Sequence, residues 1–133
     1  MRVANLMQKP VSAVTLGTTV GEAILSLADN HISALAVLDH RGWLVGVLST
    51  TDVLQAESTA SDREARDQLF EDTRVEELMT PRPLTIHPDA DVREAAREML
   101  YGDVHRLFVE VDGELVGVIS RTDVVRAFAI QRA

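Results

Sequence analysis

Asp52 and Asp123 each close the same seven-residue pattern. The two copies read Gly46-Val47-Leu48-Ser49-Thr50-Thr51-Asp52 and Gly117-Val118-Ile119-Ser120-Arg121-Thr122-Asp123. An apolar run that gives way to Ser-x-x-Asp marks a strand passing into a helix. Two chemistries are open at such a junction. The serine can be the N-cap, with the aspartate at N3 as a capping-box acid. Alternatively, the carboxylate accepts two hydrogen bonds from a sugar diol, beside the free N–H groups and partial positive charge of the helix start. Serine and threonine hydroxyls at the same turn suit sugar or phosphate oxygens. The two roles are compatible.

The elements that position these residues are also duplicated. Gly42 to Val53 matches Gly113 to Val124, and the likeness runs upstream from Leu35 and Val37 to Val3, Leu6 and Met7, whose counterparts are Val75, Leu78 and Met79. The period is 72 residues up to Val37 and 71 from Gly42 on, so one residue is lost in a turn. This period is too long for the common solenoids and reads as two copies of a small α/β unit. Each copy opens with a short helical turn, Val3–Met7 or Val75–Met79, ended by prolines. A strand follows near Ala13–Thr15 or Leu84–Ile86. A helix then starts on a cap signal, Thr19 with Glu22 or Asp91 with Glu94. Two strands come next, Ala34–Leu38 with Leu44–Leu48, and Leu107–Val111 with Leu115–Ile119; Asp112-Gly113 is a hairpin signal. The last helix begins at Ser49 or Ser120. The fold class is α/β, with order helix–strand–helix–strand–strand–helix in residues 1–57 and 75–133. Residues 58–74 read as an extension of the first closing helix plus an exposed charged linker, in which Leu69 and Phe70 are candidates to dock.

The chain has 133 residues, 46% of them hydrophobic, and a net charge of −8. That size suits about one domain whose halves fold together. The charge argues against nucleic-acid binding, which needs a basic face. No apolar run approaches a membrane span of about 18 residues or a signal peptide, so no membrane role and a cytoplasmic location are expected. There is no cysteine, and His31, His40, His87 and His105 show no paired metal spacing, so no metal site and no required cofactor are expected. Every Ser–Asp pair has a capping explanation, and no catalytic set remains. Asp62, Glu64, Asp67, Glu71 and Asp72 read as a solvated face, Met7 and Met79 as core fillers, and Trp43 as a hairpin residue that could mark a contact surface.

The duplicated motif, in register behind matching Leu-Met…Pro segments, resembles the cystathionine-β-synthase (CBS) domain pair, or Bateman module, over nearly the whole chain. The resemblance implies two small sheets packed face to face, two clefts between the repeats, and adenosine-containing ligands such as AMP, ADP, ATP or S-adenosylmethionine. The repeats differ at Val104-His105-Arg106-Leu107, where the first has Ile32-Ser33-Ala34-Leu35. The His-Arg-Leu form is similar to the phosphate-binding segment of the AMP-activated protein kinase gamma family. Carried over, the main cleft takes ribose at Asp52 and phosphate at His105 and Arg106. Ser49, Thr50 and Thr51 complete its polar end, and Ser12, Ala13, Val14 and Ile32 hold adenine. Arginine suits phosphate through its planar fork, and histidine adds charge only when protonated.

The second cleft would use Ser120, Thr122 and Asp123, with Leu84, Thr85, Ile86 and Val104 at its base. Its cross-repeat phosphate positions, Ser33 and Ala34, carry no charge, and Arg121 is a local substitute. A weaker phosphate site is expected there. The resemblance thus implies a non-enzymatic nucleotide sensor that acts on a partner protein, with a homodimer through helix faces near Ile24–Leu27 and Ala95–Met99. A dimerisation module without ligand remains the alternative. The residues do not choose the ligand or name the regulated partner.

Overall fold

Short apolar runs and amphipathic stretches alternate along the chain, and the computed structural model, which describes residues 1–132, resolves them into two small sheets and six α-helices. After a 3-10 turn at Val3–Asn5 come β1 (Ala13–Thr15), α1 (Val20–Asp29), β2 (Ala34–Leu38), β3 (Leu44–Ser49) and α2 (Thr50–Thr59). Then follow α3 (Arg63–Glu71), α4 (Val75–Leu78), β4 (Thr80–Pro81), β5 (Thr85–Ile86), α5 (Val92–Gly102), β6 (Arg106–Val111), β7 (Glu114–Ser120) and α6 (Arg121–Arg132). The sheets have orders β1-β2-β3-β4 and β5-β6-β7. In each, the first strand runs parallel to the second, Ala13 against Ala36 and Thr85 against Phe108, so the intervening helix is the crossover that parallel pairing requires.

The chain forms two compact units: Ser12–Arg82, and Met1–Val11 together with the chain from Pro83 onward. By sequence, each opening turn belongs to its own repeat; in the structure the turns are exchanged. Val3 is fully buried among Ile86, Val92, Met99, Leu107 and Ile119. Val75 is fully buried among Ala23, Leu27, Leu35, Val37 and Leu48. Burying a valine this completely contributes roughly 1.5–3 kcal/mol. Matching backbone bonds seat both turns. Val3 N–H donates to Ala90 at 2.9 Å and Val92 N–H to Met1 at 2.9 Å; Val75 N–H donates to Thr18 at 2.9 Å and Val20 N–H to Thr73 at 2.8 Å.

The lost residue lies in the hairpins. Asp112 and Gly113 have φ of 51° and 89°, the positive pair that a tight two-residue turn needs, between paired Val111 and Glu114. The longer turn of repeat 1 is tied by Asp39, whose Oδ1 accepts the N–H groups of Arg41 at 2.8 Å and Trp43 at 3.0 Å. The Trp43 N–H, joined by the Arg41 donors, holds this carboxyl below the usual range, against burial that pushes it up. Arg41 then stacks over the Trp43 ring at 4.1 Å.

Residues 58–74 differ from the expected helix extension. α2 stops at Thr59, and Asp62 caps a separate helix, α3, through the Ala65 N–H at 2.8 Å. The charged face of α3 is solvated, but Phe70 packs on Gly21 of α1. A Cβ on Gly21 would lie 2.5 Å from the Phe70 carbonyl oxygen and 2.7 Å from its ring. At an open helix position Gly→Ala stabilises by about 1 kcal/mol. Here overpacking outweighs that gain. Gly21→Ala is expected to lower unfolding free energy by about 1–2 kcal/mol in urea titrations; a gain in stability would mean that α3 does not rest on α1.

Candidate functional site

Each Ser-x-x-Asp turn forms because a strand ends on a residue whose hydroxyl can replace a missing helical acceptor. Ser49 Oγ accepts the Asp52 N–H at 3.1 Å, and Asp52 Oδ2 accepts the Ser49 N–H at 2.9 Å. Ser120 and Asp123 repeat the pair at 3.2 Å and 2.9 Å. Both are full capping boxes. The expected boxes at α1 and α5 are less complete: Thr19 accepts from the Glu22 N–H at 3.1 Å, and Asp91 from the Arg93 N–H at 2.8 Å, one residue earlier than the spacing predicts. The turns are also tied to the preceding strand, Thr50 N–H to the Ser33 carbonyl at 2.9 Å and Arg121 N–H to the His105 carbonyl at 3.0 Å.

The motif glycines have a steric cause. A Cβ on Gly117 would lie 2.6 Å from Met7 Sδ and 3.2 Å from the Gln8 carbonyl; one on Gly46 would collide with Met79 Sδ. The two methionines, expected as core fillers, therefore press on the strand that delivers each serine and aspartate.

Capping uses one oxygen of each aspartate, and the other oxygen distinguishes them. Asp52 is half-buried, and its Oδ1 accepts no hydrogen bond among the described residues. Asp123 is only 4% exposed. Its Oδ1 takes the Gln8 side-chain amide at 3.2 Å and the Arg126 guanidinium at 3.5 Å. Gln8 and Arg126 escaped the sequence reading. The available signal was a mismatch between repeats, Gln8 against Thr80 and Arg126 against Gln55.

The remaining predicted residues divide between the units. Ser12–Val14, Ile32, Ser33 and Ser49–Asp52 lie in Ser12–Arg82; Leu84–Ile86, Val104–Arg106 and Ser120–Asp123 lie in the other unit. The Ser12 carbonyl takes the Ala36 N–H at 3.2 Å. Ile32 lines an apolar groove of about 360 Å³ with Ile24, Leu27, Val53 and Leu54, and Thr50 at its edge; Ser12–Val14 do not line it. Thr51 and Thr122 are exposed on the first turns of α2 and α6. Leu84 is largely exposed, Ile86 is core, and the Thr85 hydroxyl donates to Glu110 at 3.1 Å.

His105 is exposed, and Arg106 opens β6 directly across from Ser120, where repeat 1 sets Ala34 across from Ser49. Arg106 is half-buried, and burial pulls its pKa below the ordinary guanidinium range. Arg121, expected as a local phosphate ligand, is engaged elsewhere. Its guanidinium donates to the Val104 carbonyl at 3.0 Å and the Met99 carbonyl at 3.5 Å, beside the C-terminal end of α5. Among the described residues no group of three His, Cys, Asp or Glu could hold a metal ion, and no helix is long and apolar enough to cross a membrane.

A family model described as the CBS domain matches residues 3–59 and again 75–130. CBSX1, a chloroplastic CBS domain-containing protein of Arabidopsis thaliana, is 32% identical over 83% of this chain, which spans 56% of CBSX1's own length. A CBS domain-containing protein of Dictyostelium discoideum is 32% identical, covering 92% of this chain and 88% of that protein. Among solved structures, CBSX2 of Arabidopsis thaliana in complex with AMP superposes with a TM-score of 0.83 at 30% identity, covering 99% of this chain and 98% of that one. The CBS domain pair of MJ0100, in complex with 5′-methylthioadenosine and S-adenosyl-L-methionine, gives 0.80 at 25% identity, covering 96% and 99%.

Removing either serine cap takes one acceptor from a helix start. Ser49→Ala and Ser120→Ala are each expected to cost about 1 kcal/mol in denaturant titrations.

Proposed function

Because the chain belongs to the CBS domain family and carries two copies of that domain, we propose that it is a regulatory module that binds an adenine nucleotide and acts through a partner protein, with no catalytic activity of its own. The observation that carries this reading is the open Oδ1 of Asp52 at the capped start of α2. In this reading that oxygen accepts a ribose hydroxyl, with the Thr50 and Thr51 hydroxyls on the same helical turn. The proposed phosphate ligands are His105 and Arg106. The complex of CBSX2 with AMP makes AMP the first ligand to test.

The module is proposed to act as a homodimer. Leu27, Ala95 and Met99, on the faces named from sequence, are used up in the cores. Large apolar side chains nevertheless stay exposed on the same helices and their neighbours: Leu25, Leu54, Leu100, Tyr101 and Val125. A nucleotide shifts such an assembly only by favouring one arrangement over another.

After removal of co-purified nucleotide, AMP at a hundred times its dissociation constant should add about 2.7 kcal/mol, a melting shift of several degrees. Asp52→Ala should abolish the shift. Arg106→Ala should lower AMP affinity about 10- to 100-fold, the loss of a charge-assisted contact, while leaving adenosine affinity unchanged. No shift with AMP, ADP, ATP or S-adenosylmethionine would favour a dimerisation module that works without ligand.

A further inference from the structure

We infer that Gln8 and Arg126 are a built-in occupant of Asp123, and that this pair, rather than the Ser-x-x-Asp motif, sets how many nucleotides the chain takes. The inference rests on the proposal that the free aspartate oxygen accepts a ribose hydroxyl. Both motifs are identical in their capping: Oδ2 of each aspartate is committed to its serine N–H, at 2.9 Å in both. Oδ1 is the oxygen that capping leaves untouched in either repeat. At Asp123 that oxygen already receives two donors, Gln8 Nε2 at 3.2 Å and Arg126 at 3.5 Å. An amide N–H and a guanidinium N–H do there what two hydroxyls of a sugar would do.

Both donors are held in place. Gln8 pairs with Val118 through its N–H at 2.8 Å and its carbonyl at 3.1 Å, so its side chain starts from fixed backbone beside the motif. Arg126 stands one helical turn beyond Asp123, the spacing at which side chains on α6 meet. The carboxylate they satisfy is 4% exposed. A diol that displaced them would have to replace both bonds and also leave an amide and a guanidinium to find new partners. Repeat 1 lacks both donors. Its residue at the Gln8 position is Thr80, too short to reach as the amide does, and at the Arg126 position it has the uncharged Gln55. Neither bonds Asp52.

The test exchanges the two residues for their repeat 1 counterparts. AMP is titrated calorimetrically into the nucleotide-stripped full chain, as wild type, as Asp123→Ala alone, as Gln8→Thr/Arg126→Gln, and as that double variant with Asp123→Ala added. The double variant should bind one more AMP per chain than wild type, and Asp123→Ala should remove the gain. A folded double variant with unchanged stoichiometry overturns the inference, as does a wild-type site already lost on Asp123→Ala. The difference in stoichiometry is read independently of the wild-type count: a wild type that binds no AMP defeats the assignment at Asp52, while the gain still decides the occupant. If the double variant does not melt cooperatively, Gln8→Thr alone is titrated, and tighter or additional AMP binding dependent on Asp123 is expected.

Discussion

The approach of a methionine to a glycine ties each opening turn to the strand that leads to a motif serine. Met7 lies against Gly117 and Met79 against Gly46, close enough that neither glycine position has room for a Cβ. The methionines are there because Val3 and Val75, a few residues earlier, are buried in the same cores. The strand carrying each glycine then runs three residues to a serine cap, and three more to an aspartate whose orientation the cap fixes. Burial of an opening turn is thereby transmitted through packing to the direction of a carboxylate. The glycine of the motif is the residue that permits this close approach.

The arginines of this acidic chain bond backbone carbonyls as well as carboxylates. Several are engaged within their own unit: Arg74 donates to the Gly17 carbonyl at 2.9 Å, Arg121 to the Val104 carbonyl beside the end of α5, Arg126 to Asp123, and Arg41 to Asp39 while stacking on Trp43. The Glu76 carboxylate accepts the Gly17 N–H at 2.9 Å and is held below the usual range first by that bond. At Arg106 burial lowers the pKa. In a protein of net charge −8 the global field opposes an incoming anion.

Much of this was legible because the chain states it twice. Strands such as Ala13–Thr15 and Ala34–Leu38 were bounded correctly by apolar runs between turn residues, and Ser49 and Ser120 by their cap spacing. Tertiary partnership was not legible. Repetition says that Val3 and Val75 are equivalent, yet not that each leaves its own repeat, since burial pattern carries no address. The break between α2 and α3 was missed because a polar helix reads the same whether continuous or interrupted; only Asp62 marks it. Arg121 looked available because a guanidinium's affinity for helix-terminal carbonyls depends on where a helix ends in space. The extra donors on Asp123 were not legible because they come from residues far from the motif or a turn beyond it.

The exchange of opening turns also changes what counts as a half of this molecule. The stretch from Ser58 to Arg74, which separates the repeats along the sequence, lies wholly inside one unit; the chain passes from unit to unit at Val11–Ser12 and again at Arg82–Pro83. A backbone cut between α2 and α3 would therefore not release two finished bodies. The front fragment would carry Val3 out of the core it fills, and the rear fragment would carry Val75 out of the other. The two fragments are complementary, each holding the plug for the other's socket, so the polypeptide is already divided into a split protein whose pieces recognise one another by burial.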